Sequence, residues 1–288
     1  MSAILNKITV TPSGAALGAD IEGLDLNIPL DQHTRSEIMD AWHSHLVLRF
    51  RGQHLTDESF VKFGRGFGEL DLPYSSIAGK PRRPGLPEMT VISNIVENGK
   101  PLGGLGNFEA AWHTDMSFRE SPPTASLLYA IEIPPSGGDT WFSNMYLAYE
   151  TLPESLKKRV EGKMCKHDHT YNSSGRLREG MTENQDPRTS PGAIHPIVRT
   201  HPVTRKKALY LGRRLNGYIL GMELSESDAL LDELWAHLSR KELTWTQKWS
   251  VGDLLVWDNQ CTVHYRESFD NNTRRLLRRL QVKGTKPY

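Results

Sequence analysis

His113 and Asp115, two positions apart in "AWHTDMSF", are residue types that can ligate a cation. In an extended strand, residues i and i+2 share a face. An imidazole and a carboxylate would then project together, with Thr114 turned away. Two histidines and one carboxylate on one side of a metal leave positions open, an arrangement suited to non-haem ferrous iron. An isolated H-x-D arises easily by chance, so a third ligand and a use for the metal must come from elsewhere in the chain. His264, in "VGDLLVWDNQCTVHYRESF", stands after a strand and a short loop and can supply that ligand. An arginine-bearing strand follows it. There Arg275, Leu277 and Arg279 share one face, and Arg274, Leu276 and Arg278 the other. Two arginines aimed into a core are costly unless they meet anions. Forked guanidinium contacts suit carboxylates and sulfonates.

The elements that must carry these residues are mostly strands. "KITVTPSGAALGADIEGLDL" reads as strand, turn, strand. Ile38, Met39, Trp42 and Leu46 recur at helical spacing, and "LVLRF" follows as a strand. "TDESFVKFGRGFG" predicts a helix capped by Thr56 and ended by glycines. "EMTVISNIV" is a strand, and residues 97–110 form a glycine-rich loop before the metal motif. "PTASLLYAIEIPP" is a strand, "SGGDT" a turn, and "MYLAYETLPESLKKRVEGK" helical with a break near Pro153. Residues 170–194 are irregular and polar and read as a lid or an insertion. "ALYLG", "LTWTQKW", "DLLVWDN" and "RRLLRRLQV" are strands. "SESDALLDELWAHLSRK" is a helix in which Ser225 and Asp228 fit a capping box. No βαβ alternation appears, which argues against a doubly wound sheet. A mainly β chain with flanking α-helices, folded as an antiparallel sandwich or jelly roll, fits better. With no clean linker, residues 1–288 read as one domain.

Lys and Arg total 35 against 34 Asp and Glu, a balance with no general pull toward nucleic acid or membrane. Two cysteines cannot make a disulfide framework, which suggests a reducing compartment. No apolar run approaches membrane-spanning length. A cytoplasmic protein with a small-molecule partner, no nucleic acid and no membrane is the expectation, with self-association left open.

Rival sites are weaker. Cys165, His167 and His169 alternate in "CKHDHTY" and could share a face toward zinc, but nothing nearby completes a tetrahedron. His195 and His201 read as core or turn residues, and His43, His45 and His54 as facing solvent or capping ends. Cys261 has no partners for a nucleophilic triad. "GGLGNF" does not match a dinucleotide fingerprint. Trp42, Trp112, Trp235 and Trp257 read as core.

Taken in order, "WHTD", "PPSGGDT", "VGDLLVWDN", His264 and "RRLLRR" resemble the taurine / 2,4-dichlorophenoxyacetate dioxygenase (TauD/TfdA) family over nearly the whole chain. The resemblance implies a double-stranded β-helix, a cupin-like jelly roll. It implies Fe(II), with 2-oxoglutarate and O2 as cosubstrates, and His113, Asp115 and His264 as the iron triad. It implies that Thr140 and Arg275 bind 2-oxoglutarate and that Arg279 meets the substrate anion. The expected reaction is hydroxylation of a small anionic organic substrate, whose product can collapse by C–O, C–N or C–S cleavage. A carboxylate at Asp115 argues against halogenation. Taurine enzymes of the family carry a histidine after "FGEL"; "FGELDLPYSSIAG" has none, which points away from taurine itself. Tyr74 and the loop Leu102–Phe108 would line an apolar pocket for a larger acid, for example an aryloxyalkanoate. The competing classes are a non-oxidative metal-containing barrel that binds an organic acid, and a desaturase or epimerase using the same iron.

Overall fold

The structure is a computed structural model that describes residues 8–73, 85–107 and 110–288. Tyr74 and Phe108 lie outside the described residues.

Two sheets carry the architecture. The larger has eight strands in the order Thr9–Pro12, Ala19–Glu22, Val47–Phe50, Leu254–Asp258, Ala125–Glu132, Leu276–Val282, Thr90–Ser93 and Gly104–Leu105. The smaller has four: Thr244–Gln247, Thr140–Asn144, Thr262–Arg266 and Ala110–His113. Pairing is antiparallel except at Ala19–Glu22 with Val47–Phe50 and at Thr90–Ser93 with Gly104–Leu105.

Period-two alternation gives the central strands two apolar faces. Leu127, Tyr129, Leu254, Val256, Leu280 and Val282 join one buried cluster with Ile38, Trp42, Phe60 and Phe63 from the helices Gln32–His45 and Asp57–Gly64. Leu128, Ala130, Leu255, Trp257 and Leu277 point the other way, into a cluster that includes Phe142 and Val263 of the smaller sheet. A one-residue slip would reverse every side chain. Since each fully buried large apolar side chain contributes roughly 1.5–3 kcal/mol, the register is strongly held. The site residues ride on this register.

Local chemistry explains the element ends. Asp31 accepts from Thr34 N at 2.7 Å to start the first helix, and Thr56 accepts from Ser59 N at 3.1 Å to start the second. Leu46 is not part of the helix face. It caps the helix end at φ +66°, its N–H donating to Trp42 O at 2.7 Å, and turns the chain into the strand Val47–Phe50.

The structure corrects several expectations. The helix Leu224–Leu238 begins without a side-chain cap, with Ser225 already inside it. Ser227 Oγ instead accepts from Ile219 N at 2.9 Å. Residues 97–110 are not plain loop: a two-residue hairpin pairs Val96–Glu97 with Lys100–Pro101, and Gly104–Leu105 edges the large sheet. A strand, Thr140–Asn144, begins directly at the end of the "SGGDT" turn. His264 follows the strand Leu254–Asp258 and a short turn, as expected, and itself lies in a further strand, Thr262–Arg266. His43 and His45 are half-buried rather than solvent-facing, and the His43 ring lies 6.1 Å from that of His201. Among the described residues, no helix is long and apolar enough to cross a membrane.

Candidate metal and anion site

Sheet pairing brings the distant motifs together. His264 and His113 are direct register partners between Thr262–Arg266 and Ala110–His113. Their ring centroids are 4.1 Å apart. Asp115 lies just past the end of its strand, before Met116 at φ +52°, so the strand argument covers only the histidine. The carboxylate still turns to the same side. Asp115 Oδ1 is 3.7 Å from His113 Nε2 and 4.0 Å from His264 Nε2.

The surroundings fix these groups. Asn259 accepts from Asp115 N at 2.9 Å and donates to Asp115 O at 3.0 Å. Ser126 Oγ donates to Asp115 Oδ2 at 2.7 Å, and Gln281 Nε2 to the same oxygen at 3.3 Å. That leaves Oδ1 facing the two imidazoles and Arg279 Nη1, 3.8 Å away. Burial pushes the Asp115 carboxyl up, but His113, Arg279 and His264 beside it outweigh burial and hold it well below the usual carboxylate range. His113 Nδ1 lies 2.7 Å from Ala111 O. A proton donated there leaves the Nε2 lone pair toward the cavity. His264 packs between Phe142 and Trp257. Burial, then His113, push it down to about 3, so it is a neutral imidazole at physiological pH.

A cavity of about 60 Å3 adjoins the trio, with Thr140, Arg266, Arg275 and Arg279 in its lining. The last strand divides its arginines as the alternation predicts. Arg274 pairs with Glu132 and Arg278 with Asp57 outside, while Arg275 and Arg279 turn inward. Arg275 is 2% exposed, and its Nε and Nη2 have no hydrogen-bond partner. Burial, then the charge of Arg266, lower it to about 9, still protonated at neutral pH. An unpartnered buried guanidinium of this kind fits an anionic ligand. Thr140 Oγ1 accepts from Trp249 Nε1 at 3.0 Å, which leaves its own proton to donate.

The expected apolar wall differs. Leu102 is exposed, and Ile92, Leu128 and Trp257 supply the apolar lining. Asn259, Ser126, Gln281 and Arg266 were not singled out from sequence. The alternation that picked Arg275 and Arg279 also selects Gln281, two positions on; the others depend on cross-strand register.

The rival metal set does not form among the described residues. Cys165 lies in the core, and the His169 ring stacks on Phe118 at 4.1 Å. The described residues contain two groups of metal-capable donors, the trio above and His201, Asp258 and Cys261. In the second, His201 Nδ1 accepts from Val203 N and Thr204 N while Nε2 meets Asp258 Oδ2 at 2.9 Å. Both ring nitrogens are thereby used, and the group reads as a buried structural network.

Comparison with known proteins agrees with the geometry. The family model for "Taurine catabolism dioxygenase TauD, TfdA family" matches residues 9–281. The chain is 33% identical over 281 residues to the alpha-ketoglutarate-dependent 2,4-dichlorophenoxyacetate dioxygenase of Cupriavidus pinatubonensis, covering 95% of this chain and 96% of that one. It superposes on the crystal structure of a taurine dioxygenase from Burkholderia xenovorans with a TM-score of 0.79 at 35% identity, covering 97% of this chain and 92% of that one. The crystal structure of AAD-2 in complex with Mn(II) and N-oxalylglycine matches with a TM-score of 0.80 at 31% identity, covering 98% and 99%.

Proposed function

The chain belongs to the TauD/TfdA family and is an Fe(II)- and 2-oxoglutarate-dependent dioxygenase; from that premise we propose that it hydroxylates a small organic carboxylate or sulfonate in the cavity beside His113, Asp115 and His264. The observation that carries the reading is the convergence of these three donors, all within 4.8 Å of one another, beside the unpartnered buried nitrogens of Arg275. The residues present fit the group: two neutral or lone-pair-bearing imidazoles and one ionised carboxylate are the donor set of a facial non-haem iron site.

In this reading His113, Asp115 and His264 would hold the metal. When bound, iron with 2-oxoglutarate activates O2 and supplies the oxidising power for C–H hydroxylation, releasing succinate and CO2. The protein supplies ligation, positioning and water exclusion. Arg275 and Thr140 receive the distal carboxylate of 2-oxoglutarate at the far end of the cavity. Arg279, whose Nη1 lies 3.8 Å from Asp115 Oδ1, receives the substrate anion. Ile92, Leu128 and Trp257 exclude water around the reacting carbon. The fold that holds them is the double-stranded β-helix of the family, and residues 1–288 form one domain in which 170–194 is an inserted segment near the site, its Ser173 lining the cavity. Substrates named for the relatives, 2,4-dichlorophenoxyacetate and taurine, each carry an anionic head group, a carboxylate and a sulfonate respectively. Of the two, an aryloxyalkanoate is the substrate class the sequence favours, because the segment after "FGEL" carries no histidine.

The test is anaerobic titration of Fe(II)-loaded protein with 2-oxoglutarate, followed by admission of O2 with a panel of carboxylates and sulfonates. A visible charge-transfer band and substrate-dependent succinate are the expected results. No band, or succinate release that no anion stimulates, would overturn the reading.

A further inference from the structure

Asp115 stands outside the regular sheet, in the turn that follows the strand Ala110–His113, and the next residue, Met116, has φ +52°. A residue with a Cβ keeps that left-handed conformation only where its surroundings hold it there. The carbonyl groups of the turn show what does so. Met116 O accepts from Arg119 N at 3.0 Å, and Phe118 O accepts from Ala193 N at 2.9 Å. The other two, Ser117 O and Arg119 O, lie 3.0 and 2.9 Å from one atom, His195 Nε2. Both oxygens are acceptors, so that nitrogen carries the ring proton and donates to the pair in a forked bond. The His195 ring is fully buried, and its Nδ1 has no hydrogen-bond partner. All of its hydrogen bonding therefore goes to this turn.

His195 is itself fixed from behind. It lies on the strand Ile194–Pro196 as the register partner of Cys165 in Met164–Lys166. The far end of the turn is tied as well. Arg119 pairs with Asp71, Asp71 N donates to Gln281 O at 2.7 Å, and Gln281 Nε2 returns to Asp115 Oδ2 at 3.3 Å.

We propose that His195 is a positioning residue for the metal carboxylate: its forked bond holds the turn Asp115–Arg119 in the left-handed form that presents Asp115 Oδ1 to His113 and His264. The proposal rests on the assignment of Asp115 to the metal. It makes the place of the donor, rather than the bulk of the ring, the property that matters at residue 195.

The experiment sets an amide donor at two depths. His195→Gln can bring its amide nitrogen near the place of Nε2, and His195→Asn, one methylene shorter, near that of Nδ1. Competition with a chelator reads Co(II) affinity. His195→Asn should weaken it by about tenfold, the lower end for partners that orient a ligand, and His195→Gln should recover most of the loss. Equal losses in the two variants, or none in either, would overturn the proposal. Met116→Gly removes the cost of the left-handed conformation and should return part of the affinity lost in His195→Asn. No recovery there would show that the turn is not what His195 holds. In metal-free protein, hydrogen exchange over residues 114–119 should quicken in His195→Asn and not in His195→Gln; unchanged exchange in His195→Asn also overturns the proposal. If His195→Asn loses its cooperative thermal transition, His195→Leu, which offers no donor, takes its place and the same outcomes decide. Wild-type protein that takes up no Co(II) would instead sink the metal assignment of Asp115, and the exchange measurement would still decide whether His195 holds the turn.

Discussion

Asp115 divides the labour of its two oxygens. Oδ2 takes hydrogen bonds from Ser126 and Gln281, and Oδ1 is left toward His113, His264 and Arg279. A carboxylate oriented in this way presents one oxygen to a cation without losing entropy on binding it. Partners that orient a ligand typically contribute 10–100-fold in metal affinity, so Ser126→Ala should weaken Fe(II) or Co(II) binding by about tenfold. Titration against a competing chelator checks this, and an unchanged affinity would show that Oδ2 needs no such support. His113→Ala and His264→Ala should abolish stoichiometric ferrous binding; retained iron would contradict the assignment. The two inward arginines separate by readout. Arg275→Ala should raise the 2-oxoglutarate requirement by about tenfold or more, given a buried charged hydrogen bond. Arg279→Ala should weaken the prime substrate more than the cosubstrate, and the reverse pattern would mean that the two roles are exchanged.

At the scale of elements, the turn before Thr140 sets one pole of the cavity. Gly137 and Gly138 have φ of +71° and +73°. A Cβ at Gly137 would approach Ser268 O to 2.8 Å, and one at Gly138 would meet Phe269 at 3.3 Å and Arg275 Nε at 3.5 Å. Gly137→Ala therefore combines backbone strain of roughly 1–2 kcal/mol with a clash against backbone. Urea unfolding should show the loss, and binding of N-oxalylglycine should weaken with it because Thr140 follows three residues on. Unaltered stability would mean that the turn relaxes freely. This turn was readable from its glycines, and so were the strands around it whose apolar residues alternate. The helix Gln32–His45 was legible through its period, and the inward arginines through parity within one strand. Residues whose place depends on pairing between remote segments were not legible. Asn259 meets Asp115 across 144 residues, and Gln281 meets it across 166. The strand around His264 was hidden because "TVHYR" mixes polar and apolar residues in a segment whose burial comes from Phe142 and Trp257. Sequence period reports one element at a time, whereas the carboxylate's supports come from register between three.

Over the whole molecule, a near-neutral chain concentrates positive charge in one cavity and protonated thiols and phenols in its core. Cys165 and Cys261 are both fully enclosed, and burial pushes the Cys165 thiol up to about 12 and that of Cys261 well above its usual value. Burial raises Tyr146 and Tyr210 in the same direction. The folded chain therefore keeps protons that the unfolded chain releases once pH exceeds about 9, the ordinary thiol value. Stability from these groups is fully present below that pH and is lost as pH rises through the folded values. Each such group contributes a slope of up to about 1.4 kcal/mol per pH unit in that window. The urea midpoint should thus hold steady near neutrality and fall between pH 9 and 12, the interval bounded by the two states of Cys165. Cys165→Ala should flatten the fall while lowering the neutral midpoint through the cavity it leaves. Both thiols should also resist alkylation at pH 8 and react only as fast as the chain unfolds, because a protonated, enclosed thiol is neither nucleophilic nor reachable. Rapid modification of either cysteine in the native protein, or a midpoint that stays level to pH 12, would show that the core admits hydroxide and water where its packing excludes them.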